Sequence, residues 1–294
     1  GWRTLQVGTP YGISPESFFG AESVPDSLHT VLSGINHPDL ATIYGPFLEL
    51  CFAASYVLGG ANSLALRLCF MLANIVLICL LLRKLRPEAA ALYAWNPLVI
   101  AETAIHIHPD ALLGLMLAAG FLAGRRFQLA AGILFGLAAA SKLAALAVWP
   151  ALLRLGRPAL VAAVVTLFAL YLPFWWQGNG VGLETTKTFA SAWTLNQFAI
   201  APLTALFGDG PGRIAGAAIG VALICMLHLR SRTFDAVPVA GIFGVILLFA
   251  PAVNSWYLLW LLPFAAGQRP TWPFAASAAL PLSYLTGLKI GDSA

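Results

Sequence analysis

Apolar residues in this chain come in continuous runs rather than in alternation, and short polar phrases interrupt the runs at intervals. A helix needs roughly 20 apolar residues to cross ~30 Å of hydrocarbon. Set against that length, the pattern predicts membrane segments at 63–82, 88–100, 110–124, 127–140, 143–153, 158–175, 212–228, 237–250, 256–266 and 271–288. Several are too short to cross alone. They either extend into the polar breaks or are broken helices whose ends line a cavity, the one setting in which irregular backbone is tolerated at membrane depth. Two more apolar stretches, 44–58 and 197–207, are flanked by breakers: Gly45-Pro46, Gly59-Gly60 and the glycines from Gly208 to Gly212. These are expected to be interfacial or re-entrant helices. The chain then divides into an outer first loop at 1–62, which holds the interfacial helix 44–58, and a transmembrane domain of about ten spans at 63–294.

Composition fixes the class. With 60% hydrophobic and 10% charged residues and a mean hydropathy of +0.83, a polytopic all-α membrane protein is expected, because lipid demands that every backbone polar group be satisfied within its own helix. Continuous runs argue against a β-barrel, whose strands alternate. Cys51, Cys69, Cys79 and Cys225 sit singly inside apolar runs with no CxxC spacing, so they read as packing residues. The net charge of +4 would suggest nucleic acid in a soluble protein; here the basic residues sit in short loops and report topology, so no nucleic-acid partner is expected.

Arg83, Lys84 and Arg86 form one basic cluster, followed by Arg125 and Arg126, Arg154 and Arg157, Arg230 and Arg232, and Arg269. These ten of the sixteen basic residues mark a single side, expected to be cytoplasmic. Residues 1–43, 101–109, 141–142, 176–196 and 251–255 then face outward, together with ten of the twelve acidic residues, Glu88 and Asp235 being the exceptions.

The outward phrases carry the candidate chemistry. INHPDLATIYGP supplies Asp39 and Tyr44; a carboxylate near a cavity mouth can act as a general base, while a solvated turn around Asn36, Pro38 and Asp39 is the plainer alternative. IHIHPD, preceded by Glu102, places His106, His108 and Asp110 at i, i+2 and i+4. Two histidines with a carboxylate can bind a divalent metal or a sugar phosphate; equally, Asp110 can be an acidic helix start and the histidines interfacial. Lys142 follows Ser141 in AAASKLAAL, far from the arginine clusters. It reads either as a cation awaiting a phosphate or as a snorkelling side chain. Replacing it is expected to cut turnover and leave folding intact. Asn196, in SAWTLNQF, and Asn254, Trp256 and Tyr257, in PAVNSWYLLWLLPF, combine amides with aromatic faces that suit sugar rings; an interfacial aromatic belt accounts for the tryptophans as well.

The order of GTPYG, INHPDLATIYGP, AWNPLVIAETAIHIHPDAL, ASK, the W-T-L-N phrase and NSWYLLWLLPF resembles GT-C membrane glycosyltransferases of the polyprenyl-phosphate-mannose-dependent mannosyltransferase type over nearly the whole chain. The resemblance implies a GT-C-like helical bundle with a large outer first loop. It also implies transfer of a sugar, mannose first, from a polyprenyl-phosphate donor in the bilayer to a glycan or glycolipid acceptor outside the plasma membrane. Asp39 and Asp110 would be the catalytic carboxylates; Tyr44, Glu102, His106, His108, Lys142, Asn196, Asn254, Trp256 and Tyr257 would contact substrate. One departure is that the acidic phrase carrying the family's main base would precede Gly1. Residues upstream, including a first membrane helix, are therefore expected. No nucleotide-binding loop is present, in keeping with a lipid donor. A lipid-linked-sugar flippase or transporter is the alternative, since broken helices and buried charges also build transport sites.

Overall fold

A computed structural model describes residues 1–177 and 180–283. The regular secondary structure of the described residues is helical, apart from one isolated bridge between Leu195 and Ala252. Four apolar helical stretches have the length and composition to cross a membrane: Leu64–Lys84, Asp110–Ser141, Arg157–Trp176 and Asp209–Arg230. Their outer faces carry exposed Leu68, Leu72, Ile75, Val161, Val165, Phe168, Ile214 and Val221, a surface suited to lipid rather than water.

The second stretch is a hairpin. Gly124 adopts φ 47°, a 3-10 turn spans Gly124–Phe127, and the chain folds back so that Gly120 lies against Phe135. Its arms, Asp110–Ala123 and Gln128–Ser141, have 14 residues each, about 21 Å at 1.5 Å per residue. The expected segments 110–124 and 127–140 are thus both present but individually short of ~30 Å. Gly132 and Gly136 let the Gln128–Ser141 arm meet the Arg157–Trp176 helix backbone to backbone: a Cβ on Gly132 would lie 2.1 Å from the Ala159 carbonyl oxygen. GILFG is therefore a close-packing seam.

The remaining expected spans are broken. The segment at 88–100 is Pro87–Ala94 followed, after Trp95 and Asn96, by Pro97–Ile100 and a π-helical turn at Ala101–Ile105. The Asn96 side chain accepts from the backbone N–H groups of Leu98 and Val99 and caps the new start. The segment at 143–153 is a 3-10 helix, Leu143–Ala151, with a short α-turn to Leu155. The segment at 256–266 is a 3-10 turn, Ser255–Trp260, leading into Leu262–Gln268. Val239–Leu248 and Trp272–Ala279 have ten and eight residues; the end of the expected 271–288 segment, from 284 onward, lies outside the described residues. Pro46–Gly59 and Ile200–Phe207 fall where non-crossing helices are expected, and Leu183–Ala192 adds a third.

The contacts separate two ends. At one, Arg154 donates to the His228 carbonyl, His228 Nε2 lies 2.8 Å from the Ala147 oxygen, and Gln268 donates to Val237; the basic turns gather here. At the other, the Gly45 N–H donates to the Ser141 carbonyl, Leu195 pairs with Pro251 and Val253, and Ser255 reaches Glu102. The polar candidates collect at this second end.

Candidate functional site

The site is built on a distorted helix ending. The His106 N–H bonds to the Ala101 carbonyl, five residues back, as a π-turn requires, and the His108 N–H bonds to the Glu102 carbonyl at 2.8 Å. The second bond closes because Ile107 takes φ +61°. That left-handed position normally belongs to glycine in a helix-ending turn, and a β-branched residue there costs about 1–3 kcal/mol. The result places His106 and His108 on the same side of Glu102. Both Nδ1 atoms face Glu102 Oε2, at 3.0 and 2.7 Å, and Ser255 Oγ donates to Oε1 at 2.8 Å. Glu102 is 1% exposed. Behind it, Tyr93 donates to Asn74 at 2.8 Å and Asn74 donates to Thr103 at 3.4 Å, tying the π-turn to the Leu64–Lys84 helix. Arg67, at the start of that helix, donates to the Ala104 carbonyl.

Two residues on, Asp110 opens the hairpin. It is also 1% exposed. Its Oδ1 accepts from Lys142 Nζ and from Trp260 Nε1, both at 2.6 Å, while Oδ2 is buried with no hydrogen-bond partner among the described residues. Lys142 sits at the far end of the hairpin, where the chain leaves Ser141 in an extended conformation. Its ammonium stands 4.8, 5.1 and 5.5 Å from the ring centres of Tyr257, Trp260 and Tyr44, within the range of cation–π attraction. The sequence reading of Lys142 as a lone cation is thereby corrected: its anion is Asp110, 32 residues earlier.

One short turn contacts Glu102, His108, Asp110 and Lys142. In Ser255–Trp260, Ser255 holds Glu102, Trp256 stacks on His108 with centroids 4.0 Å apart and planes at 15°, Tyr257 faces Lys142, and Trp260 holds Asp110. A 3-10 turn eclipses residues three apart, so Tyr257 and Trp260 stack at 4.6 Å and 24°. Asn254, just before the turn, is hydrogen-bonded to Tyr257. Ser255 and Trp260 are not among the residues expected from sequence, although NSWYLLW contains both; the three-residue spacing of Tyr257 and Trp260 is the local signal for Trp260, and Ser255 has none.

The other expected site residues stand apart. Asn196 adopts φ +48°, and its amide donates to the Val253 carbonyl at 3.0 Å, so it clips the outer loop onto the Asn254 region. Asp39 is exposed on the rim of a separate cavity of about 560 Å³, with Glu184 and Trp175. The structure does not bring it to Asp110. Tyr44 does belong to the cluster, and its carbonyl accepts from the Tyr11 hydroxyl at 2.9 Å.

A second buried carboxylate, not anticipated, lies nearby. Glu49, 4% exposed, accepts from Thr42 Oγ1 at 2.5 Å and lines a cavity of about 330 Å³ with Arg3, Thr42 and His37. Burial raises its carboxyl above the ordinary glutamate range, opposed by the Thr42 hydrogen bond and the Arg3 charge. In PFLELCF it is the one acid within an apolar run, and that isolation was its signal.

No family model, no curated protein and no solved structure matches this chain.

Proposed function

We propose that this chain is an integral membrane glycosyltransferase that moves a sugar, mannose in the first instance, from a polyprenyl-phosphate donor to a glycan or glycolipid acceptor at the extracytoplasmic face of the plasma membrane. The observation that supports this reading is the Ser255–Trp260 turn, which contacts two buried carboxylates, one histidine and a boxed lysine at one end of an apolar bundle. Charged groups at membrane depth are expensive and mark working sites.

In this reading a carboxylate takes the proton of the acceptor hydroxyl as its oxygen attacks the anomeric carbon. The bond from that carbon to the phosphate oxygen breaks, the configuration inverts, and polyprenyl phosphate leaves. Asp110 Oδ2 is the unpartnered carboxylate oxygen in the cluster. Lys142, 14% exposed, presents its remaining N–H donors to the leaving phosphate, with His108 beside it, and the aromatic faces of Trp256 and Tyr257 suit a sugar ring. Asp39, exposed and apart from Asp110, would in this reading meet acceptor at the loop surface instead of serving as a catalytic carboxylate.

The test is transfer by the full-length protein, reconstituted in lipid with radiolabelled polyprenyl-phosphate mannose and membrane-extracted acceptors. Wild-type protein should move label to an acceptor, and Asp110→Asn should lower the rate by two orders of magnitude or more. No transfer from any polyprenyl-phosphate sugar, together with movement of the lipid-linked sugar between leaflets, would establish the transporter reading instead.

A further inference from the structure

We infer that Glu102, His106 and His108 form a divalent-metal centre of the two-histidine, one-carboxylate kind, with zinc as the ion its donor set suits best. The three donor atoms lie within 4.8 Å of one another. Nitrogen and carboxylate oxygen donors suit zinc, which binds imidazole and carboxylate at about 2.0–2.2 Å. Tetrahedral donors at that distance stand roughly 3.4 Å apart, so the observed Nδ1 to Oε2 separations of 3.0 and 2.7 Å need to open by less than about 1 Å.

Three features of the chain point to an ion rather than to a pair of ordinary hydrogen bonds. The backbone is distorted twice within seven residues, by the π-turn at Ala101–Ile105 and by the left-handed Ile107, and both distortions serve to bring the two imidazoles onto one carboxylate oxygen. Strain of this kind collects at functional sites. The ligands are also oriented from behind: Ser255 fixes the second oxygen of Glu102, and Trp256 fixes the His108 ring. Such supporting contacts are what set ligand geometry in metal sites. Finally, access is graded. Glu102 is 1% exposed, while the side chains of His108 and His106 are 21% and 41% exposed. Three protein ligands with an open outward position are the arrangement of a working rather than a structural zinc. The site itself does not depend on glycosyl transfer; its use does rest on that reading, in which the ion would face the donor phosphate next to Lys142.

The experiment uses the full-length protein in detergent, stripped with chelator and titrated with Zn²⁺ by calorimetry and with Co²⁺ by visible absorption. One ion per chain is expected, with a four- or five-coordinate cobalt spectrum. His106→Ala and Glu102→Gln should each weaken binding at least tenfold, and Ser255→Ala by about 10- to 100-fold. His37→Ala should leave binding unchanged. His106 is the most exposed ligand, so its variant tests the site even where Glu102→Gln fails to fold. Absence of stoichiometric binding to protein that remains monodisperse and helical, or binding unaltered in His106→Ala, would overturn the centre. These readouts require no turnover. Metal binding without transfer would keep the centre and remove the transferase reading; transfer by metal-free protein that binds no added ion would do the reverse.

Discussion

Asp110 and Lys142 pair at 2.6 Å, with the aspartate side chain fully buried and the lysine 14% exposed. A buried ion pair returns little net stability over an apolar pair, but breaking one side strands the other charge at about 3–5 kcal/mol. Lys142→Met should therefore lower the thermal midpoint of the purified protein sharply, contrary to the expectation from sequence that the lysine can be removed without affecting folding. The double variant Lys142→Met with Asp110→Asn should recover much of that loss in a double-mutant cycle of unfolding midpoints. Additive losses would show that the two side chains do not form the pair. Glu49 gives the opposite sign. Its carboxyl is raised by burial, so the folded state binds its proton more tightly than the unfolded chain does. The stability this contributes is present below the ordinary value of 4.5 and is lost as pH rises through the raised value. Glu49→Gln should then flatten the decline in unfolding midpoint above about pH 4.5, and raise the midpoint at neutral pH; a steeper decline in the variant would show that Glu49 is held as a stabilising anion. Composition at single positions made Glu102, His106, His108, Asp110 and Lys142 legible as candidates, because charge inside apolar sequence is rare. Which of them pair was not legible: Lys142 finds Asp110 across 32 residues and Glu102 finds Ser255 across 153, and no local periodicity encodes either meeting.

Elements divide by how they are specified. Long apolar runs declare themselves, and Leu64–Lys84, Arg157–Trp176 and Asp209–Arg230 lie close to their expected bounds. The short runs do not, because a 3-10 turn such as Ser255–Trp260 and an α-helix draw on the same apolar residues. Only the tertiary partners Glu102, His108, Lys142 and Asp110 fix which form is taken. The hairpin shows glycine setting geometry. On its second arm, a Cβ at Gly132 would stand 2.1 Å from the Ala159 oxygen, and one at Gly136 2.6 Å from Thr166. These neighbours are backbone and a β-branched side chain, which cannot yield without separating the helices. Gly132→Val should cost several kcal/mol, in the range of severe overpacking, and loosen the Lys142 end of the arm as well. Gly210→Ala, in the Asp209–Arg230 helix with nothing within 4 Å of the new methyl, should be neutral or slightly stabilising. Thermal unfolding of the two variants side by side checks the contrast. Equal midpoints would mean that the arm does not pack on Arg157–Trp176 as described.

At the scale of the whole molecule, the lengths of the elements set the depth of the site. The hairpin arms reach about 21 Å where hydrocarbon is ~30 Å thick. With the Arg125–Arg126 turn held at one surface, Asp110 and Lys142 stop about 9 Å short of the other. Pro46–Gly59 closes that gap from above: the Gly45 N–H donates to the Ser141 carbonyl, and the Tyr44 ring stands over Lys142. A recessed charge pair under a non-crossing helix is consistent with the basic turns and the outer loop lying on opposite sides of the membrane. This is the arrangement that the positive-inside rule assigns from the ten arginines and lysines at one end. It is also what the transferase reading requires, since a lipid-linked donor must meet its acceptor outside. Cysteine-free protein carrying either Arg126→Cys or Glu184→Cys, both exposed positions, can be labelled with an impermeant maleimide in sealed vesicles of each orientation. Arg126→Cys should react only where the cytoplasmic face is outermost, and Glu184→Cys only in the reverse preparation. Reaction of both from the same side would mean that the chain between them makes no net crossing. Reaction with the sides exchanged would put Glu102, Asp110 and Lys142 at the cytoplasmic face and exclude an extracytoplasmic transferase, whatever ion or sugar the site holds.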